Sequence, residues 1–212
     1  MKKVLLTIAI LAISASASNA MVLWDQGSYY PELHGFMDSY SIGPWGNVIV
    51  YAAHDINLGI DATITSITTY YTNTGQWNPG TYDALLDIFV KTGPTPITGT
   101  DDPLTTGQTI SVTLTDIGGG VFELKATGLS ISLTAGDYWV MLSPTVPDGP
   151  SFREFHLIST APWGDPSANI EFGGWLPPGW ASVGDDGTLI IEGDAAVPNE
   201  DTTWGQFKAI YR

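Results

Sequence analysis

Three histidines, His34, His54 and His156, are the side chains of this 212-residue sequence best suited to proton transfer. A Ser–His–Asp site needs an exposed nucleophile on a strained turn, and no G-x-S-x-G occurs. His54 and Asp55 are adjacent where a turn is expected and could form an acid–base pair, although neighbours on a strand edge point apart. His156 falls in an alternating strand pattern, and no HExxH-type spacing points to a zinc site. A glycosidase needs two carboxylates facing across a groove. The strand acids Asp87, Glu123, Glu154, Glu171 and Glu192 each stand alone on their strands. Glu154 has Arg153 and His156 nearby, an arrangement that a salt bridge within a sheet explains equally well.

Calcium takes oxygen ligands from loops, commonly Asp and backbone carbonyls. Asp101, Asp102, Asp185 and Asp186 are loop acids beside Gly or Pro and form the candidate calcium set, although no D-x-[DN]-x-[DN]-G loop is present. Solvated turn acids are the competing explanation, because Asp and Gly are what turns are made of. The tryptophans carry a different chemistry. Trp163, Trp175 and Trp180 lie together among prolines and glycines, and Trp77 occupies another turn-rich loop, with Trp45 a further addition. An indole face stacks on the C–H face of a sugar while its N–H seeks a polar partner, so exposed loop rings suit glycan binding. Tryptophans in such loops also plug the open ends of sandwiches. With no cysteine in the chain, thiol catalysis, thiolate zinc and iron–sulfur chemistry are excluded.

The elements that must position these residues are strands. Leu129, Ile131 and Leu133 alternate with polar residues, and Thr134–Asp137 makes a turn in which Gly136 can take a positive φ. Tyr138, Val140 and Leu142 then alternate with Trp139 and Met141, so this second strand carries bulk on both faces and belongs inside a layered structure. Further strands are expected over 47–53, 62–72, 84–92, 109–115, 121–126, 152–159 and 187–192, with 22–24 opening the fold. Residues 25–46, 73–83, 93–107 and 161–184 read as loops. The pattern predicts nine or ten strands, no helix and no internal repeat: an all-β, single antiparallel β-sandwich of jelly-roll type.

Residues 1–20 have the form of a secretory signal peptide: Lys2 and Lys3, an apolar run over 4–13, and Ser18-Asn19-Ala20 before the cleavage point. The domain then spans 21–195 and a terminal strand or tail 196–212. Both leader lysines leave with it, so 5 basic residues face 22 acidic ones, a net charge of 5 − 22 = −17. That balance argues against nucleic acid and anionic membranes as partners. No later apolar run is long enough to span a membrane. Without disulfides the exported chain must rest on its core, and 43% apolar residues with eight tryptophans can supply one.

The order 62–71, 84–93, 133–142 (LTAGDYWVML), a Gly/Trp loop and 186–193 (DGTLIIEG) resembles a widespread class of secreted bacterial β-sandwich proteins. Many of them end in Val-Pro-Glu-Pro, an apolar helix and basic residues that sort them to the cell surface. Here Val197-Pro198-Asn199-Glu200 stands where that signal begins, and the chain ends TTWGQFKAIYR with no apolar helix. The resemblance implies a fold and a location outside a bacterial cell, and no reaction. The expectation is a non-catalytic extracellular or cell-surface protein binding polysaccharide or matrix through loop tryptophans, with calcium as a candidate ion and no required cofactor. A self-assembling surface or filament component is the alternative, and a sandwich-type glycan hydrolase or lyase the third reading.

Overall fold

The computed structural model describes residues 20–30, 35–37, 39–43, 46–72, 78–146, 155–171 and 179–196. The expected leader, the tail beyond 196, His34, Trp45, Trp77, Arg153, Glu154 and Trp175 fall outside them, and the side chain of Glu171 is likewise not described. The described residues are all-β apart from one helical turn, α1 (Pro103–Thr106). Its thirteen strands are β1 (Met21–Asp25), β2 (Gly35–Met37), β3 (Ser39–Gly43), β4 (Gly46–Leu58), β5 (Ala62–Thr72), β6 (Gly80–Val90), β7 (Gln108–Gly118), β8 (Val121–Leu133), β9 (Gly136–Val146), β10 (Phe155–Leu157), β11 (Ala168–Glu171), β12 (Ala181–Ser182) and β13 (Ile190–Ala195). Among the described residues no helix is long and apolar enough to cross a membrane.

All thirteen strands join one open hydrogen-bonded sheet, in the order β1-β13-β5-β8-β7-β6-β9-β3-β4-β11-β12, with β10 attached to β5 and β2 to β10. Every pairing is antiparallel except a short parallel contact of β3 with β9. The sheet turns back on itself: Tyr71 on β5 donates its hydroxyl to the Leu142 carbonyl on β9, four strands away along the sheet.

β9 is the organising strand, as its composition requires. Residues 139–142 are all 0% exposed, and the strand is paired on both sides, by β6 and β4. Its even-numbered side chains, Tyr138, Val140 and Leu142, enter the main core with Ile56, Ile64, Tyr71, Leu114, Leu124 and Ile191. Trp139 and Met141 enter a second cluster with Tyr51, Phe89, Ile170 and Trp180. Two-sided burial is what a run without polar alternation dictates.

Several boundaries differ from expectation. β8 is one strand, where alternation broken at Gly128 reads as two; Gly128 takes φ +71°, and the pairing with β5 shifts register between Ile64 and Ser66. A bulge costs one residue of pairing and leaves the strand continuous. Gly136 is not among the positive-φ glycines of this chain. Segments read as loops contain β2, β3, β11 and β12, short strands held by partners rather than by their own composition, and 103–106 winds one helical turn capped by Asp102. β4 runs on through Asp55 to Leu58, beyond the expected strand end at residue 53, because β9 pairs with it there.

Candidate functional site

At the β1 end of the sheet, the loop 159–167 crosses the surface. An open cleft of about 560 Å³ lies between residues 22–26 on one side and 161–163 on the other. A second pocket of about 210 Å³ lies against the same loop, with Tyr30, Ser159, Pro162, Gly164, Asp185 and Asp186 in its wall. The cleft is lined by two indoles. Trp163 is 39% exposed, and its ring meets Trp24 edge to face, centroids 4.8 Å apart at 82°. Asp25, at the end of β1, adds a carboxylate, one oxygen of which accepts the Gly27 N–H at 2.9 Å.

The loop has no strand of its own before β11, so side chains on neighbouring elements hold its backbone. Asp186 accepts the N–H of Trp163 on one carboxylate oxygen (2.7 Å) and that of Ser167 on the other (3.1 Å). Asp55 on β4 accepts the N–H of Asp165 at 2.9 Å. Alternate amides at 163, 165 and 167 are therefore taken by two buried carboxylates, and hydrogen bonds to ionised acceptors are the strong ones. Gly164 sits directly over the Asp55 carboxylate at φ +70°, so a Cβ there would collide with it and be strained as well.

Asp55 is only 1% exposed and forms an ion pair with Lys91, which also reaches Asp165 at 2.8 Å. The ammonium lies 5.0 Å from the Trp139 ring centroid and 5.9 Å from that of Trp163, within cation–π range. Burial pushes the Asp55 carboxyl above its ordinary range, against the pull of Lys91. Burial lowers the Lys91 ammonium, yet Asp165 and Asp55 carry it above its usual value. Burial likewise raises Asp186, to about 6, with the nearby Asp55 and Asp185 charges adding to the rise and the Trp163 and Ser167 amides opposing it.

Beneath the loop lies a second polar group that the spacing of residues does not reveal. His54 and His156 meet with ring centroids 4.3 Å apart and planes tilted at 52°, and His156 also packs on Tyr71. His54 Nδ1 lies 2.7 Å from the Ser167 hydroxyl, which accepts the Gly187 N–H. His156 Nε2 donates to the Thr188 carbonyl at 2.7 Å. Burial, and then His156, hold His54 well below the ordinary histidine pKa, so it is neutral. Both rings press on Gly187, where a Cβ would strike His54 and His156. Ser167 and His54 are 0% and 1% exposed, so their contact ties β4 to the loop and presents no nucleophile to solvent. Adjacent His54 and Asp55 point to opposite faces of β4, as strand geometry requires, and each enters a different network.

The other candidates are placed as follows. Trp180 is 8% exposed; its ring meets Phe89 edge to face, and its Nε1 donates to the Asp101 carbonyl at 2.8 Å. It covers the second core cluster, more than 6 Å of ring separation from Phe89 notwithstanding. Asp101 accepts the Ile97 N–H and Asp102 the Leu104 N–H and Thr105 hydroxyl, so both carboxylates serve their own loop. Asp185 is exposed, whereas Asp186 is buried and faces N–H donors. Among the described residues no three His, Asp or Glu side chains are grouped to hold a metal ion. Trp77 and Trp175 lie outside the described residues. The residue missed by sequence reasoning is Trp24, which packs partly against the main core; its place as a cleft wall follows from a loop more than a hundred residues away.

Compared with known proteins, the chain matches no family model, no curated sequence and no solved structure.

Proposed function

We propose that this chain is a secreted, non-catalytic β-sandwich protein of the bacterial cell surface or extracellular space that binds glycan through the Trp24–Trp163 cleft. The observation that carries the reading is the pair of perpendicular indoles walling an open cleft, one of them 39% exposed, with the loop beneath them pinned by buried carboxylates. Its volume, about 560 Å³, falls in the range of small-ligand sites. Coplanar rings suit a flat polysaccharide surface, whereas rings at 82° form a corner that suits a chain end or a short, kinked stretch of sugar. Asp25 is the charged side chain in the lining, and it accepts hydroxyl hydrogens. With net −17 on the mature chain, uncharged glycans are favoured and polyuronates or sulfated glycans are repelled. The reading needs no cofactor, and the Tyr71–Leu142 bond between distant strands supports two layers facing across the main core.

Binding to neutral oligosaccharides, set beside polygalacturonate and sulfated polymers at the same salt, tests the reading. Binding to neutral sugars alone supports it, and preference for the polyanions overturns it. The second reading, self-assembly, is favoured by one feature: β1 ends the strand order and carries Met21 and Val22 at 46% and 52% exposure. Concentration-dependent light scattering by the protein, abolished by Val22→Lys, would favour that reading instead.

A further inference from the structure

Both walls of the cleft lead back to one side chain. The Asp186 carboxylate takes the Trp163 amide on Oδ2 at 2.7 Å and the Ser167 amide on Oδ1 at 3.1 Å, which spans the loop from one wall residue to its return into β11. Oδ2 also meets Gln26 Nε2, a long contact of 3.5 Å. Gln26, 2% exposed, accepts the Trp24 Nε1–H on its own Oε1 at 3.0 Å. Main-chain bonds between Gln26 and Leu189 fix that residue to the Asp186 segment, 2.8 Å in one direction and 3.4 Å in the other. The chain of contacts therefore runs Trp24–Gln26–Asp186–Trp163 and closes where the two rings meet at 4.8 Å.

We propose that Asp186 is the positioning residue of this cleft, its carboxylate setting the place of Trp163 directly and of Trp24 through Gln26, and with them the corner a ligand enters. Asp186 touches no ligand itself. At neutral pH the ionised carboxylate suits the three N–H donors that converge on it, because it alone among side chains of that size offers only acceptors. An amide in its place would turn one N–H toward another N–H. The corner as a sugar site rests on the reading given above, but the coupling of the two rings to Asp186 does not.

The two are separable by experiment. The protein is labelled with 5-fluorotryptophan, and the Trp24 and Trp163 ¹⁹F resonances are assigned by single Trp→Phe replacements. Asp186→Asn is expected to move both resonances and to leave that of Trp180 in place, with the overall fold checked by circular dichroism. Gln26→Met keeps the length of the side chain and removes the amide. It is expected to move the Trp24 resonance more than that of Trp163, whose backbone bond to Asp186 it leaves intact. Neutral oligosaccharide affinity is expected to weaken at least tenfold in Asp186→Asn. If Asp186→Asn fails to fold, Asp186→Glu, which keeps the acceptors and displaces them by one methylene, decides through the same two resonances. Unmoved Trp24 and Trp163 resonances in these variants would overturn the positioning role. Shifted resonances with no sugar binding in the parent protein would leave that role standing and overturn the glycan reading.

Discussion

Replacing Lys91 by Met removes the cation paired with Asp55 while leaving an unbranched chain to lie against Trp139. Asp55 is 1% exposed, one of its oxygens has no hydrogen-bond partner among the described residues, and the other keeps only the Asp165 amide once Lys91 is gone. Breaking a buried pair by removing one partner costs about 3–5 kcal/mol. The retained amide bond puts the expected loss at neutral pH near the lower end, about 3 kcal/mol. Asp55 has an escape, which is to take up a proton. From its ordinary value of 3.8, protonation costs about 1.36 kcal/mol per pH unit, so the loss from the buried charge cannot exceed about 4.4 kcal/mol at pH 7 or about 1.6 kcal/mol at pH 5. The sign follows from linkage: the folded-state pKa of Asp55 is raised, and rises further without Lys91. The folded state then binds the proton more tightly than the unfolded one, and stability falls as pH rises. Urea unfolding of wild type and Lys91→Met at pH 5 and pH 7, followed by circular dichroism, reads both numbers. The double variant Asp55→Asn/Lys91→Met is expected to recover much of the loss, because no unpaired charge remains. A loss below about 1 kcal/mol at pH 7, or one that does not change with pH, would refute the account of Asp55 as a buried charge dependent on Lys91.

Trp180→Ala is expected to cost about 3–5 kcal/mol, the range for emptying a buried aromatic site, and to leave sugar binding by the folded fraction unchanged; chemical denaturation and a binding titration check the two halves separately. Gly187→Ala forces a Cβ against His54 and His156 and should cost about 1–3 kcal/mol, several degrees in melting temperature, measurable by scanning calorimetry. Asp186 has its carboxyl raised from 3.8 to about 6, so its contribution to stability is full below about 4 and is lost as pH rises through about 6. The stability of Asp186→Asn relative to wild type should accordingly improve between pH 4 and pH 7 in paired urea titrations; a constant difference would contradict the raised value.

The strand grammar was legible wherever burial is periodic. β5 spans 62–72 as its Thr, Ile and Tyr content predicts, and β9 carries bulk on both faces because it lies between β6 and β4 with a core on each side. Elements whose order comes from partners were not legible. β3 is a Ser/Tyr/Gly segment that β4 and β9 hold in register, and β8 continues through Gly128 because β5 accommodates the bulge. The site was half legible. Trp163 in a Gly/Pro loop signals an exposed ring, but the same composition surrounds Trp180, which the second core cluster buries. Indole chemistry is readable from residue type, whereas exposure depends on what packs above. Asp186 reads as a turn acid, and its three donors come from residues 26, 163 and 167, none within its own turn. Likewise His54 and His156 meet across the fold, and no local spacing encodes a contact between residues 102 positions apart.

The central claim is that the Trp24–Trp163 corner takes sugar. Tryptophan fluorescence of the protein titrated with neutral oligosaccharides tests it most directly, with Trp163→Ala as the decisive variant and circular dichroism confirming its fold. The account predicts a saturable change that Trp163→Ala abolishes and Trp180→Phe retains. A saturable change that survives Trp163→Ala, or no change with any neutral sugar, would contradict it.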